Sequence, residues 1–233
     1  MARVIPLTPE GAHEGALVLL RDVTEIRSRE RELITKDATI REIHHRVKNN
    51  LQTVAALLRL QSRRMEVPAA RTALDEAVRR VGSIAIVHET LSQAFDERVA
   101  FDDVADRLAS MVTEVATERA DVRTTREGSF GEIAAETATP LAMVLTEVLQ
   151  NAVQHGFPDG SGAIVIRVLR AAGRLEVTVD DDGQGLPEGF DPDSSGNLGL
   201  SIVRTLVESE LGGMLTLGSN PTGGTRVDLD VPC

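Results

Sequence analysis

From Ser28 to Arg64 the chain contains neither proline nor glycine. That run limits the fold more than any other stretch. At about 1.5 Å per residue, a helix over it would extend about 55 Å. Its apolar positions Ile40, Ile43, Val47, Leu51, Val54 and Leu58 recur three and four apart. So narrow a stripe suits a bundle or coiled-coil seam rather than a broad globular core. Pro68 marks a tight turn. A second helix is expected from about Ala70 to Ala94, with Leu74, Val78, Val81, Ala85, His88 and Leu91 on one face. Two antiparallel helices cannot bury both stripes by themselves. Two such hairpins joined as a four-helix bundle can, so a homodimer through residues 28–94 is expected.

After Phe95 the pattern becomes mixed α and β. Residues 101–118 read as a helix and 121–126 as a strand. Thr139 can cap a helix with Pro140 at its first position, running to about His155. Ala163–Arg170 and Arg174–Asp180 read as strands joined by a short Ala-Ala-Gly turn. Gly183 to Leu198 is rich in glycine, proline and aspartate, hence a loop. Leu200–Glu210 reads as a helix, and Met214–Ser219 with Thr225–Val231 as a closing pair of strands. The expected class is α+β: a two-helix hairpin, then an α/β sandwich with helices on one face of a mostly antiparallel sheet. Residues 3–8 and 15–21 read as two short strands, too little to fold alone, and are expected to end a larger upstream domain.

Composition removes several alternatives. The only lysines are Lys36 and Lys48. A P-loop needs a lysine after its glycines, and a protein-kinase fold needs one on a strand. The second half of the chain therefore fits neither in its usual form. A net charge of −11 without a large basic block argues against nucleic acid as a partner. No apolar run approaches the roughly 20 residues of a membrane span, and no leader pattern opens the chain. With Cys233 as the single cysteine no intrachain disulfide can form, and a cytoplasmic setting is expected.

Four segments could carry chemistry. The first holds His44 and His45. On a helix, residues three and four apart are neighbours. That puts His44 beside Ile40, Val47 and the seam, and His45 among Arg41, Glu42, Lys48, Asn49 and Gln52. Imidazole titrates near pH 6.5, so at pH 7 an exposed histidine is largely neutral and can act as a nucleophile. The same placement would suit an ordinary surface histidine. The second is Glu147, Asn151 and His155, a polar line at i, i+4 and i+8 on an otherwise apolar helix. Such a line is costly unless something outside satisfies it. Carboxylate and amide oxygens suit Mg²⁺, which arrives with phosphates. A solvated helix edge would look the same.

The third is Val179-Asp180-Asp181-Asp182-Gly183-Gln184-Gly185. Strand alternation puts Asp181 on the same face as Leu175, Val177 and Val179. An inward carboxylate needs hydrogen-bond donors, and an adenine amino group is a suitable one. Gly183 and Gly185 would let the backbone approach a planar ring closely. The fourth is Ser195-Gly196-Asn197-Leu198-Gly199-Leu200, which precedes a helix whose first N–H groups could hold phosphate.

In order and spacing these segments resemble the histidine kinases of two-component systems, over about residues 28–233. Residues 41–61 resemble the phosphoacceptor box of the subfamily related to the HWE kinases. There the acceptor directly precedes Arg-Val-Lys-Asn, which selects His45. Thr146 to His155 resembles the family's N box. The match implies Asn151 as a Mg²⁺ ligand, Glu147 as a residue ordering the metal and its waters, and His155 as the subfamily's additional N-box histidine. Asp181, Gly183 and Gly185 resemble the adenine-binding G1 box. Gly196, Leu198, Gly199 and Leu200 resemble the G2 box. Gly224-Thr225 resembles the closing strand that also touches the adenine. The resemblance implies an ATP-binding domain of the GHKL/Bergerat type at 97–233 and dimerisation and phosphotransfer helices at 28–96. It also implies autophosphorylation of His45 and transfer to an aspartate of a response regulator's receiver domain. The chain lacks the Trp-containing signature of true HWE kinases, and Arg46 stands where many histidine kinases carry an acid. Gly15 to Ile26 resembles the last strand of a PAS sensor domain and its exit into a signalling helix, which implies that residues 1–27 are the C-terminal remnant of such a domain.

Overall fold

The computed structural model describes residues 2–7, 15–20, 22, 24–93, 98–116, 121–157, 160–187, 189–190, 198–221 and 223–233. It divides into two units, Met1–Glu42 and Ile43–Cys233. In the first, strands β1 (Ala2–Leu7) and β2 (Gly15–Leu20) form an antiparallel pair. The uninterrupted helix α1 (Thr24–Ser62) begins there and continues into the second unit.

In the second unit α1 folds back on α2 (Pro68–Leu91). Pro68 opens α2, where its missing N–H costs no helical bond. Three polar contacts tie the hairpin along its length. Ser62 Oγ donates to Asp75 Oδ1 at 2.6 Å, Lys48 Nζ to Glu89 Oε1 at 3.0 Å, and the Nδ1 atoms of His44 and His88 lie 3.0 Å apart. Such a pair of histidines shares one proton. Burial, and then the charge of His44, holds His88 below its usual pKa. The expected hairpin is present, with the helix ends two to four residues from expectation.

The mixed domain is built on a five-stranded sheet of order β4-β6-β7-β9-β8. Its strands are β4 (Asp121–Glu127), β6 (Ser161–Ala171), β7 (Arg174–Asp181), β8 (Met214–Ser219) and β9 (Thr225–Pro232). Only the β4–β6 pairing is parallel. Alternation sends Ile164, Ile166, Leu175, Val177, Val179, Val227, Leu229 and Val231 to one face, where all are buried. Helices α3 (Phe101–Ala116), α4 (Ala135–Asn151) and α5 (Leu198–Thr205) close that face through Leu108, Leu141, Leu145, Leu149 and Val203. The opposite face is polar. There Asp180 is held between Arg226, at 2.7 Å, and Arg167.

Three details differ from the sequence expectation. Helix α4 starts at Ala135, not at Thr139, so Pro140 lies in its second turn. Pro140 forfeits one bond to the Glu136 carbonyl, and burial of Ala138, Leu141 and Ala142 compensates. The end of that helix widens into a π turn at Ala152–Gly156, as α5 does at Leu206–Glu210. Two short strands were not expected, β3 (Arg98–Ala100) and β5 (Glu132–Ala134). Each has three residues, too few for a period to register.

Candidate functional site

The end of α4, the end of β7, the loop after it, α5 and strands β8 and β9 enclose a cavity of about 210 Å³. Its floor is built around Asp181, which is 4% exposed. Oδ1 accepts the Gly183 N–H at 3.0 Å and the Thr225 N–H at 3.1 Å. Desolvation by burial nevertheless holds this carboxyl above the usual carboxylate range. A carboxylate so confined favours a further hydrogen-bond donor arriving through the cavity.

Backbone crowding fixes this floor. The π turn carries Gly156 against Asp181, and the Gln184 N–H donates to the Gly156 carbonyl at 2.9 Å. A Cβ on Gly183 would lie 2.3 Å from that same oxygen. A Cβ on Gly224, whose φ is +84°, would lie 2.1 Å from the Asp181 carbonyl oxygen. Both glycines are therefore required for close approach, and Gly224 for its left-handed backbone as well. Asn220 Nδ2 and Gln184 Nε2 donate to the carbonyls of Asp181 and His155 at 3.1 and 2.7 Å. Apolar walls come from Val148, Ala152, Val179, Leu186, Leu200, Val203, Leu215, Leu217 and Val227, with Phe190 also lining the cavity. An apolar slot with one carboxylate on its floor suits a planar heteroaromatic ring that presents an N–H donor.

Asn151, His155, Asp181, Gly185, Leu200 and Thr225 are brought together on this cavity. Gly183 stands behind Asp181 as a donor. Leu198 and Gly199 form the first turn of α5, and Gly196 lies outside the described residues. His45 is exposed on α1. Glu147 is not part of the cavity lining. It is 3% exposed and paired with Arg80 of α2, Nε to Oε1 at 2.6 Å and Nη2 to Oε2 at 3.0 Å. Arg79 Nε donates to Gln150 Oε1 beside it. Nothing in the local sequence pointed to Arg79, Arg80, Asn220 or Gly156, because each matters through a partner distant along the chain. Among the described residues no three His, Cys, Asp or Glu side chains converge as a metal site. Asn151 lines the cavity, and its amide oxygen could serve as a single protein ligand to Mg²⁺, with phosphates and water completing the shell.

Comparison with known proteins agrees with this geometry. Residues 42–116 match a family model described as histidine kinase. Residues 136–233 match the histidine kinase-, DNA gyrase B-, and HSP90-like ATPases. A solved histidine kinase domain, from the blue-light-activated histidine kinase EL346 of Erythrobacter litoralis, is 32% identical. It superposes with a TM-score of 0.61 over 86% of this chain and 95% of that one. The chain belongs to the histidine kinases. The sensor histidine kinases PdtaS of Mycolicibacterium smegmatis and Mycobacterium tuberculosis are 53% and 51% identical to it over all of its residues. This histidine kinase chain spans about half the length of those curated relatives, 47% of each. No helix among its described residues is long and apolar enough to cross a membrane.

Proposed function

We propose that this chain binds ATP in the cavity over Asp181, phosphorylates His45, and passes the phosphoryl group to an aspartate of a response regulator. The observation that carries this reading is Asp181 itself. It is a buried carboxyl whose Oδ1 is fixed by two backbone N–H groups, at the floor of an apolar slot and beside Asn151. The exocyclic amine of adenine is the donor such a floor would take. Gly183 and Gly224 let the backbone of neighbouring segments pack closely around Asp181 and so shape the floor on which the ring would lie. Asn151 would hold Mg²⁺, which would neutralise charge on the phosphates. The N–H groups at the start of α5 add to that neutralisation.

The ring nitrogen of His45 attacks the γ-phosphorus in line. The new N–P bond forms as the bond to the ADP oxygen breaks, and the ring proton leaves to solvent. His45 is exposed on α1, as an acceptor must be to meet both a nucleotide and a second protein. His44 takes the inward position against His88, which leaves one histidine to pack and one to react. The exposed apolar residues Val54, Leu57 and Leu60 support a homodimer through the hairpins at 28–94. The reading takes residues 1–27 as the last part of a PAS-type sensor and places the kinase in the cytoplasm.

The test is to incubate the protein with Mg-ATP and map the modified residue by mass spectrometry under alkaline conditions. A single acid-labile, base-stable phosphoryl group on His45 is expected, and none in His45→Gln. Label retained by His45→Gln would refute the acceptor assignment.

A further inference from the structure

Glu147 sits on the helix that supplies Asn151 to the nucleotide cavity, yet its carboxylate points to the hairpin. Both oxygens are taken by the Arg80 guanidinium, at 2.6 and 3.0 Å, and the side chain is 4% exposed. We infer that the Arg80–Glu147 pair is an interdomain latch that holds the ATP-binding domain docked on α2 in a resting state, and that turnover requires its release.

Three observations support a device with two states. First, a buried carboxylate cannot lose its only fork of donors without cost, so the contact is made fully or the helices part. Second, Arg80 has a substitute partner on its own helix. Glu76, one turn before it, lies 3.7 Å from Nη2. Arg80 can therefore leave Glu147 without being stranded. Third, the latch is opposed from within. Arg79 is packed against Gln150, a neutral acceptor, and desolvation lowers the affinity of its guanidinium for its proton. The docked seam therefore holds one guanidinium paired with a carboxylate and one that faces a neutral acceptor.

The consequence rests on the proposed function in one respect, the part that Glu147 would take beside Asn151. While Arg80 holds it, Glu147 cannot face the cavity that Val148, Asn151 and Ala152 line from the same helix. The docked state is then catalytically incomplete. The latch is also joined to α1. Ser62–Asp75 and Lys48–Glu89 tie α2 to the helix that carries His45. A displacement of α1 reaches Arg80 through those ties.

Two substitutions on α2 separate this role from simple support. Arg80→Gln should raise the initial rate of His45 phosphorylation by roughly fivefold or more. Glu76→Gln removes the substitute partner and should lower that rate by about twofold. A second readout does not need activity. Spin labels at Thr72 and Thr216, both exposed, are placed in a Cys233→Ser background. They should give one narrow distance in the parent protein, a broad distribution in Arg80→Gln, and a narrow one in Glu76→Gln. A narrow distance in Arg80→Gln refutes the latch. A broad distance with an equal or lower rate refutes its inhibitory role. Equal changes of rate in both variants refute the two-partner switch. If the parent protein does not phosphorylate His45, the proposed function fails and the distances alone decide the latch.

Discussion

Asp180 and Asp181 are neighbours on one strand, and their surroundings push them in opposite directions. Arg226 and then Arg167 hold Asp180 below the usual carboxylate range, against its burial. Burial holds Asp181 above it. The consequences for stability have opposite signs. Asp180 contributes stability that is present above the ordinary carboxylate pKa and lost as pH falls through its lowered value. For Asp181 the cost of burying the charge is present in full at neutral pH and is relieved as pH falls through its raised value. Asp181→Asn should therefore melt at a higher temperature than the parent when free of nucleotide, because the amide oxygen can still accept from Gly183 and Thr225. It should also lose the upward melting shift that ATP gives the parent. A ligand-free melting point below the parent's would contradict this account of Asp181. The inward parity of Asp181 was legible from alternation with Leu175, Val177 and Val179. The position of Glu147 was not. Its partner Arg80 is 67 residues away, and helical spacing alone placed it in line with Asn151.

Elements were legible where periods are long. The hairpin helices and the five sheet strands fall within a few residues of expectation, because each carries several turns or alternations. Strands β3 and β5 and the early start of α4 were not, since three residues hold no period and a proline more often opens a helix than sits in its second turn. The β6–β7 connection was read as Ala-Ala-Gly, and the structure makes it a two-residue turn. Ala172 and Gly173 have φ values of 51° and 76°. A turn with both central residues left-handed matches the twist of the strands it joins, but alanine there is strained. Ala172→Gly should stabilise the domain by about 0.5–1 kcal/mol in urea unfolding. A destabilisation would show that the native turn differs from this one.

At the scale of the whole chain, α1 carries an apolar face that one copy does not cover. Ile43 and Val54, both on the seam predicted to be buried, are 52% and 45% exposed, and Leu57 and Leu60, outside that stripe, are 58% and 53% exposed. Leu57→Glu should convert a dimer into a monomer, read as a halved mass by sedimentation. The far-ultraviolet spectrum should be retained, since the residue packs little within its own chain. A mass unchanged by the substitution would place the dimer contact elsewhere. The narrow spacing of the α1 stripe made Ile43 and Val54 legible, whereas Leu57 and Leu60 fall outside its period. The docking of α4 on α2 had no such signal, because Arg79, Arg80, Glu147 and Gln150 read as ordinary polar positions until the fold joins them.

The cavity lining has an optical consequence. Phe190 is an aromatic ring on that lining, in a chain with neither tryptophan nor tyrosine. Such a protein is nearly transparent at the wavelengths where most proteins absorb and emit. Replacing Phe190 with tryptophan would create a lone fluorophore on the cavity proposed to take the adenine. Its emission would have no background from the rest of the polypeptide, so arrival and departure of nucleotide could be followed in real time.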